Sequence, residues 1–440
     1  MKKYDVIVIG SGVAGIRAAY GLKEAGKNVL IIEENLWGGT CPNRGCDPKK
    51  VLLSGVEARD RVNQLAGKGF KELPPADWQE LQKFKRTFTD PVPEERKEGL
   101  AAAGIDFLSG TARFADEKTI EILDERITAD HFVLATGQRP SILPIEGKEY
   151  MQTSTDFLSL DQLPDKVVFV GGGYIAFELA SIANGAGAEV TIIHHNSRPL
   201  KAFDADLVDE AVEEMKKRGI RFAFDTDLQK IEKTAEGYHL IAENFDETVG
   251  AVFCATGRIP NIESLDLEKA GVQSDKHGIA VNEYLQTSNP AIFACGDIIS
   301  RKIPKLTPVA TFEGNHVVRN ISEENMTPIS YPSIPTIVYA SPKIASVGIT
   351  PAEAEKQDLK VVAQDLTSWF SYSRLNEPTA KVKLVYNEEN LLVGACTLSG
   401  QADELINFLS IAIDKKISNT EISRYIMGYP TIASDLSYLL

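Results

Sequence analysis

One pattern, strand, G-x-G-x-x-G or -A, helix, strand, occurs twice in this chain, and no other feature constrains its fold as tightly. Residues 6–9 form a continuous β-branched run that passes into Gly10-Ser11-Gly12-Val13-Ala14-Gly15. An alanine-rich helical stretch ending near Gly26 follows, then a second strand over 29–32 closed by Glu33. Glycines at the spacing of Gly10, Gly12 and Gly15 let the backbone approach a pyrophosphate at a helix N-terminus, and an acid closing the second strand binds ribose hydroxyls. The second copy has a strand at 167–170, Gly171-Gly172-Gly173-Tyr174-Ile175-Ala176, a helix through Glu178 and Leu179, and a strand at 190–193. A lone glycine fingerprint is often only a tight βα turn, but the whole unit, present twice, predicts two dinucleotide sites.

Each unit closes in nearly the same words, Phe132-Val133-Leu134-Ala135-Thr136-Gly137 and Val252-Phe253-Cys254-Ala255-Thr256-Gly257. These turns read as crossings into a neighbouring domain, with Pro140, Pro144 and Gly147 marking one linker and Pro260-Asn261 another. After residue 325 the texture changes to alternating strands at 381–386 and 391–398 and helices near 351–356 and 402–415, with no nucleotide fingerprint. An α+β segment of this kind reads as a structural or subunit-contact domain. Residues 60–105, rich in Lys and Glu, read as solvated helices. The fold class predicted is α/β, two Rossmann-like dinucleotide-binding domains with a C-terminal α+β dimerisation domain, divided at 1–146, 147–267, 268–325 and 326–440.

With 440 residues, 43% hydrophobic and 25% charged, the chain is of ordinary globular composition. A net charge of -15 with scattered Lys and Arg predicts no nucleic-acid partner. The apolar stretch at 6–9 is too short for a signal-peptide core, and no apolar run approaches the roughly 18 residues of a membrane span, so no membrane partner is expected. Five cysteines in a chain this long do not make a disulfide-stapled secreted protein, which makes a reducing cytoplasm the expected compartment.

Cys41 and Cys46 lie in Gly38-Gly39-Thr40-Cys41-Pro42-Asn43-Arg44-Gly45-Cys46-Asp47-Pro48-Lys49-Lys50, just after the first nucleotide unit. In a regular helix, residues five apart have Cα atoms about 8–9 Å apart, whereas a disulfide needs less than about 7 Å. Pairing therefore demands a distorted helix start, and Gly45 and Pro48 are residues that permit one. By spacing alone, a redox pair and two unrelated thiols in a loop are equally compatible with this run. Cys254, Cys295 and Cys396 sit in apolar strand-like contexts and read as packing.

Taken together, these motifs resemble the FAD-dependent pyridine nucleotide-disulfide oxidoreductases, the group that contains glutathione reductase, dihydrolipoamide dehydrogenase and mercuric reductase. The resemblance covers essentially the whole chain. It rests on the first fingerprint with Glu33, G-G-T-C-x-N-x-G-C-x-P-K, G-G-G-Y-I-A-x-E, A-T-G-R-x-P-N, Ala294-Cys295-Gly296-Asp297 and Leu306-Thr307-Pro308-Val309-Ala310. It implies FAD on the first unit, with Glu33 at its adenosine ribose, Asp297 at its ribityl chain, and Thr40, Ala112, Thr136 and Gly137 in the same cofactor site. It implies that Lys49 and Glu178 form an ion pair beside the reactive flavin nitrogen, that Tyr174 gates the nicotinamide site, and that Gly257 belongs to the nucleotide sites. Cys46 then matches the thiol touching the flavin and Cys41 the interchange thiol that meets substrate. In such enzymes a nicotinamide delivers hydride to the flavin and two electrons pass to the disulfide, while the protein supplies orientation and charge control.

NAD sites usually carry an acid at the end of the second strand, where NADP sites carry cations for the 2′-phosphate. Here that strand runs into Ile193-His194-His195-Asn196-Ser197-Arg198-Pro199-Leu200-Lys201, without an acid. The family's phosphate-binding arginines fall by spacing on His195 and Lys201, with Arg198 in reach, and Ala176 takes the third fingerprint position. NADPH is therefore predicted over NADH. The family's reductases also carry a C-terminal His-Pro-Thr-x-x-Glu whose His serves the partner subunit's interchange thiol. This chain has Tyr429-Pro430-Thr431-Ile432-Ala433-Ser434, with Asp435 one position beyond the acid's place. A Tyr near pKa 10 is a poor base where a His near 6.5 shuttles protons. Asn315 stands where glutathione reductases have a glutathione-binding arginine, and the chain lacks the terminal cysteine pair of mercuric reductases. Pro42, Arg44 and Asp47 replace residues that are usually apolar.

The leading expectation is a homodimeric NADPH:disulfide reductase with catalytic residues Cys41, Cys46, Lys49, Glu178 and Tyr429, acting on a small disulfide or similar oxidised acceptor. The alternative is an oxidoreductase of the same fold that delivers electrons to a quinone, a metal complex or oxygen.

Overall fold

The computed structural model describes residues 2–440. The chain divides into two compact units, one made of Met1–Lys50, Lys83–Ser141 and Gly257–Ser330, the other of Val51–Gln82, Ile142–Thr256 and Tyr331–Leu440. The cuts at 141/142 and 256/257 fall at or just past the two Ala-Thr-Gly turns.

The first unit is built on a seven-stranded sheet ordered Asp106–Ser109, Val29–Glu33, Lys2–Ile9, Glu125–Leu134, Thr119–Ile122, Arg113–Asp116, with Ile292–Ala294 also pairing Glu125–Leu134. Lys2–Ile9 is parallel to both neighbours, Val6 opposite Val29 and Ile9 opposite Leu134. Parallel strands covered on both faces need continuous apolar runs, and Val6, Ile7, Val8 and Ile9 are at most 4% exposed. Burying each such side chain is worth about 1.5–3 kcal/mol. The helix Val13–Glu24 follows at once, its start set by Gly10 at φ +104°, where a Cβ would lie 2.4 Å from the Ala135 carbonyl oxygen. A Cβ on Gly15 would lie 1.9 Å from the Gly10 carbonyl oxygen, so this helix closes on its strand only because residue 15 has no side chain.

In the second unit, Arg221–Ala223, Glu189–Ile193, Lys166–Val170 and Ala251–Cys254 form a parallel four-stranded sheet, with the helix Tyr174–Gly185 springing from its glycine turn. A three-stranded antiparallel sheet, Lys230–Thr234, Gly237–Ala242 and Phe245–Val249, accompanies it. Residues 331–440 carry a five-stranded antiparallel sheet ordered Thr336–Val338, Lys343–Gly348, Leu392–Ser399, Lys381–Tyr386, Lys360–Asp365, packed against the helix Ala402–Asp414 through Leu405, Ile406 and Leu409. This is the α+β segment expected from the sequence.

Residues 60–105 differ from the solvated helices expected. The helix Trp78–Thr89 buries Trp78, Gln82, Lys85 and Thr89, a stripe at helical spacing hidden among charged residues. Among the described residues, no helix is long and apolar enough to cross a membrane.

Candidate active site

In the first unit, the segment after Val29–Glu33 folds back onto the glycine turn. A Cβ on Gly39 would lie 2.6 Å from the Gly12 Cα, so the cysteine segment rests directly on the fingerprint. Ser11 joins the parts: its hydroxyl donates to Glu33 Oε2 at 2.7 Å and accepts the Gly38 N–H at 3.0 Å, while its own N–H also donates to Glu33 at 2.8 Å. Asn43 donates to the carbonyls of Trp37 and Gly39, both at 2.9 Å, which fixes the loop before the cysteines.

Thr40 opens a short helix, Thr40–Arg44, that contains Cys41, and a second helix, Cys46–Gln64, begins with Cys46. The break falls at Gly45, where a Cβ would sit 2.9 Å from the Thr40 carbonyl oxygen and 3.2 Å from the Cys41 Cα. Gly45 therefore supplies the distortion the spacing requires. Pro48 does not: it is third in the new helix, where its missing N–H costs nothing. Both cysteines are thiols and half-buried.

The Cys41 thiol donates to the Cys46 sulfur, and the Thr307 hydroxyl lies 3.5 Å from Cys46 Sγ. Aided by Lys49 and Lys50 against the cost of burial, these contacts pull the Cys46 thiol down to about 6. Its place at a helix start favours the thiolate in the same sense. Cys41 is pushed well above the ordinary thiol value, chiefly because it holds the shared proton for Cys46, and further by burial and by Asp47. The Asp47 carboxylate lies 3.8 Å from Cys41 Sγ, an alternative acceptor for the same S–H proton. The pair thus loses its first proton from Cys46 and keeps its second on Cys41.

Asp297 stands in the short helical turn Gly296–Ile298, lining a small cavity with Lys305 and Glu313. Burial pushes its carboxyl up from the usual value, against Lys305 and Arg258. Lys305, pushed down by burial, donates to the Ile299 carbonyl, and the Glu313 carboxylate accepts the Gly296 N–H at 2.6 Å. Ala112 is buried. Thr136 donates to the Asn261 carbonyl at 2.6 Å, and the strands after Gly137 and Gly257, Gln138–Pro140 and Arg258–Pro260, pair antiparallel.

The other candidates belong to the second unit. Gly171 has φ +128°, and a Cβ there would lie 2.3 Å from the Ala255 carbonyl oxygen, repeating the geometry of Gly10. Tyr174, first in its helix, is 45% exposed; Ala176 is fully buried; Glu178 is 2% exposed and accepts the Tyr339 N–H at 3.0 Å. Lys49 lies in the first unit, in the first turn of Cys46–Gln64. His195, Arg198 and Lys201 are all exposed on the loop after Glu189–Ile193. Arg198 donates to the Phe203 carbonyl at 3.1 Å. The nearest downstream acids are already engaged, Lys383 lying 2.8 Å from Asp204 and 2.6 Å from Asp206. Tyr429 is 72% exposed, its ring stacked on Phe370 at 6.0 Å and 13°. Asp435 is turned away from it in bonding: buried, it accepts from Ser371 Oγ at 3.1 Å.

Both glycine turns fit a pyrophosphate. Gly12 and Gly173 cap twelve-residue helices with no side-chain cap, and a Cβ on either would meet nothing within 4 Å. Each turn thus presents uncapped helix N–H groups to open space, the arrangement that binds phosphate.

Residues 4–314 match the family model described as pyridine nucleotide-disulphide oxidoreductase, and residues 334–439 match that family's dimerisation domain. The chain belongs to the pyridine nucleotide-disulphide oxidoreductase family. It is similar to glutathione reductases from Burkholderia cepacia and Nostoc sp., each 32% identical; these alignments cover 99% and 98% of this chain and 98% of each relative. It is also 32% identical to a mercuric reductase from Staphylococcus aureus over 98% of this chain and 81% of that protein. The fold is accordingly an α/β flavoprotein oxidoreductase fold with a C-terminal dimerisation domain, and the family is FAD-dependent with a pyridine nucleotide as electron donor.

The sequence reading did not assign Ser11, Thr307 or Asp47. Ser11 lay within the fingerprint, and Asp47 stood out as a charge where apolar residues are usual. Thr307 lay inside the quoted Leu306–Ala310 motif, but nothing in that motif pointed to Cys46, 261 positions away.

Proposed function

We propose that this oxidoreductase carries electrons from NADPH through FAD to the Cys41–Cys46 pair and on to a small disulfide or similar oxidised acceptor. The observation that carries the reading is Cys46, hydrogen-bonded by Cys41 and Thr307 at a helix start and pulled down to about 6. When bound, FAD would supply two-electron transfer between the reduced nicotinamide and the disulfide. Gly10, Gly12 and Gly15 with Glu33, and Gly171, Gly173 and Ala176 with Tyr174, hold the two dinucleotides. Thr40, Ala112, Thr136, Gly137 and Asp297 line the first site and Gly257 the turn between the two; Lys49 and Glu178 act at the flavin. In the oxidising half, Cys41 attacks the acceptor disulfide and expels one thiolate. Cys46 then displaces the second and closes the Cys41–Cys46 bond. Loss of Cys41's proton thus becomes the demanding step.

NADPH is preferred to NADH because His195, Arg198 and Lys201 share an exposed loop, and the next acids along the chain, Asp204 and Asp206, are held by Lys383. The working unit is a cytoplasmic two-fold dimer through residues 326–440, with Tyr429 facing the partner's interchange thiol. The domains run 1–146, 147–267, 268–325 and 326–440.

NADPH oxidation measured against a panel of disulfides and quinones, with wild-type protein and Cys41→Ser, tests the reading. Disulfide turnover lost in Cys41→Ser supports it; quinone turnover that persists without Cys41, with no disulfide activity, refutes it.

A further inference from the structure

Resting on the reading of Cys41 as the thiol that meets the acceptor, we propose that Asp47 is the catalytic proton acceptor for that thiol, supplied within the same subunit. Three observations converge. Asp47 Oδ1 lies 3.8 Å from Cys41 Sγ, within sulfur hydrogen-bond distance, so it stands as a second acceptor for the proton that Cys41 otherwise holds toward Cys46. The C-terminal position that would offer a base holds Tyr429, a residue type that stays protonated at neutral pH. Asp435, the remaining acid near that position, is buried and bonded to Ser371. Asp47 is therefore the carboxylate in contact with the thiol that must lose a proton. It is exposed, so a proton it takes up can leave to solvent or to the departing thiolate.

The step balances. As Cys41 sulfur bonds one sulfur of the acceptor disulfide, its S–H proton passes to the Asp47 carboxylate, and the S–S bond breaks with its electron pair on the leaving sulfur. Asp47 returns the proton to that thiolate, releasing a thiol. The Cys46 thiolate then attacks Cys41 sulfur, expels the second thiolate and forms the Cys41–Cys46 disulfide. The acceptor is reduced by two electrons and the cysteine pair oxidised by two, with Asp47 again a carboxylate.

A carboxylate beside a thiol has a competing effect of opposite sign. Its negative charge disfavours the Cys41 thiolate. If that were all Asp47 did, Asp47→Asn would accelerate acceptor reduction. A proton acceptor predicts the reverse, a loss of about 100-fold, the low end for general-base catalysis.

The experiment reduces the FAD-loaded enzyme with NADPH in a stopped-flow instrument and then mixes it with bis(2-hydroxyethyl) disulfide or an aryl disulfide. Cys41 must lose its proton to attack either disulfide, so Asp47→Asn is expected to slow both about 100-fold, and the alkyl disulfide further because its leaving thiolate also needs the proton returned. The loss falls in reoxidation rather than in reduction by NADPH, and Asp47→Glu restores most of it. Faster or unchanged reoxidation in Asp47→Asn overturns the proposal. So does equal slowing of both phases with a lowered Tm and no rescue by Glu, which marks a structural role. Wild-type enzyme that reduces neither disulfide, or Cys41→Ser enzyme that still reduces both, refutes the disulfide reading and this inference with it. A pH-sensitive, Asp47-dependent step in an enzyme whose Cys41→Ser variant is inactive supports both.

Discussion

Replacing Thr307 by Val keeps the shape of the side chain and removes the hydroxyl that lies 3.5 Å from Cys46 Sγ. Hydrogen bonds to charged acceptors contribute about 1.5–3 kcal/mol. The Cys41 thiol, Lys49, Lys50 and the helix start remain in the variant, so the low end applies, and about 1.4 kcal/mol is about one pH unit. The first ionisation of the reduced pair, about 6 in the native chain, should therefore rise by about one unit. It is read as the pH midpoint for alkylation of the NADPH-reduced holoenzyme by iodoacetamide from about pH 5 to about pH 9, with the modified cysteine assigned by peptide mass spectrometry. The midpoint belongs to the pair, so Cys41→Ser is measured alongside to remove the shared proton. A midpoint unmoved by Thr307→Val, or a native midpoint in the ordinary thiol range near about 8.5, refutes the reasoning.

Other expectations test the frame around the pair. Gly10→Ala puts a Cβ 2.4 Å from the Ala135 carbonyl oxygen at φ +104°, so it should cost about 2–4 kcal/mol and release FAD, seen as a lower Tm and a lower flavin-to-protein absorbance ratio. Glu247, held bidentate by Arg221 and also by Lys166, is pulled down to about 2. Its stabilisation is present above the ordinary carboxylate value and lost as pH falls toward about 2, so Glu247→Gln should cost about 1 kcal/mol at neutral pH after solvent screening, and the gap in Tm should close in acid. Asp435 is pushed up by burial and keeps one oxygen without a partner. Asp435→Asn should therefore leave Tm equal or higher and acceptor reduction unchanged, whereas a hundredfold loss in kcat would make Asp435 the missing acid/base.

What the sequence made legible was whatever a local rule decides. Gly10 and Gly171 announce themselves because one spacing serves both a positive φ and a close carbonyl approach. The strands at 6–9 and 167–170 do so because burial on both faces leaves no polar alternation. Gly45 was legible as a break, but Pro48 was misassigned, since proline disrupts a helix interior and not its first turn. Helix Trp78–Thr89 was read as solvated because Lys85 and Gln82 look polar, yet both lie on its buried face. The contact that helps set the thiol chemistry was out of reach, because Thr307 and Cys46 each begin a helix, 261 positions apart, and meet only in the folded chain.

The two sulfurs also need opposite surroundings, and the helix break provides them within six residues. Cys46 must be a good leaving group and a stable thiolate, so it stands at a helix start beside a hydroxyl, with lysines following. Cys41 must hold its proton until an acceptor arrives and then give it up, so it stands beside a carboxylate that both opposes premature ionisation and can receive the proton. A lysine or arginine in place of Asp47 would ionise Cys41 at rest and make it compete with Cys46 for the role of thiolate. An apolar residue would leave Cys46 to take the proton and so lose the thiolate that must close the disulfide, since the tyrosine at 429 is a poor base. On the proposal made for Asp47, the charge at residue 47 and the tyrosine at 429 belong to one proton route, supplied within the subunit.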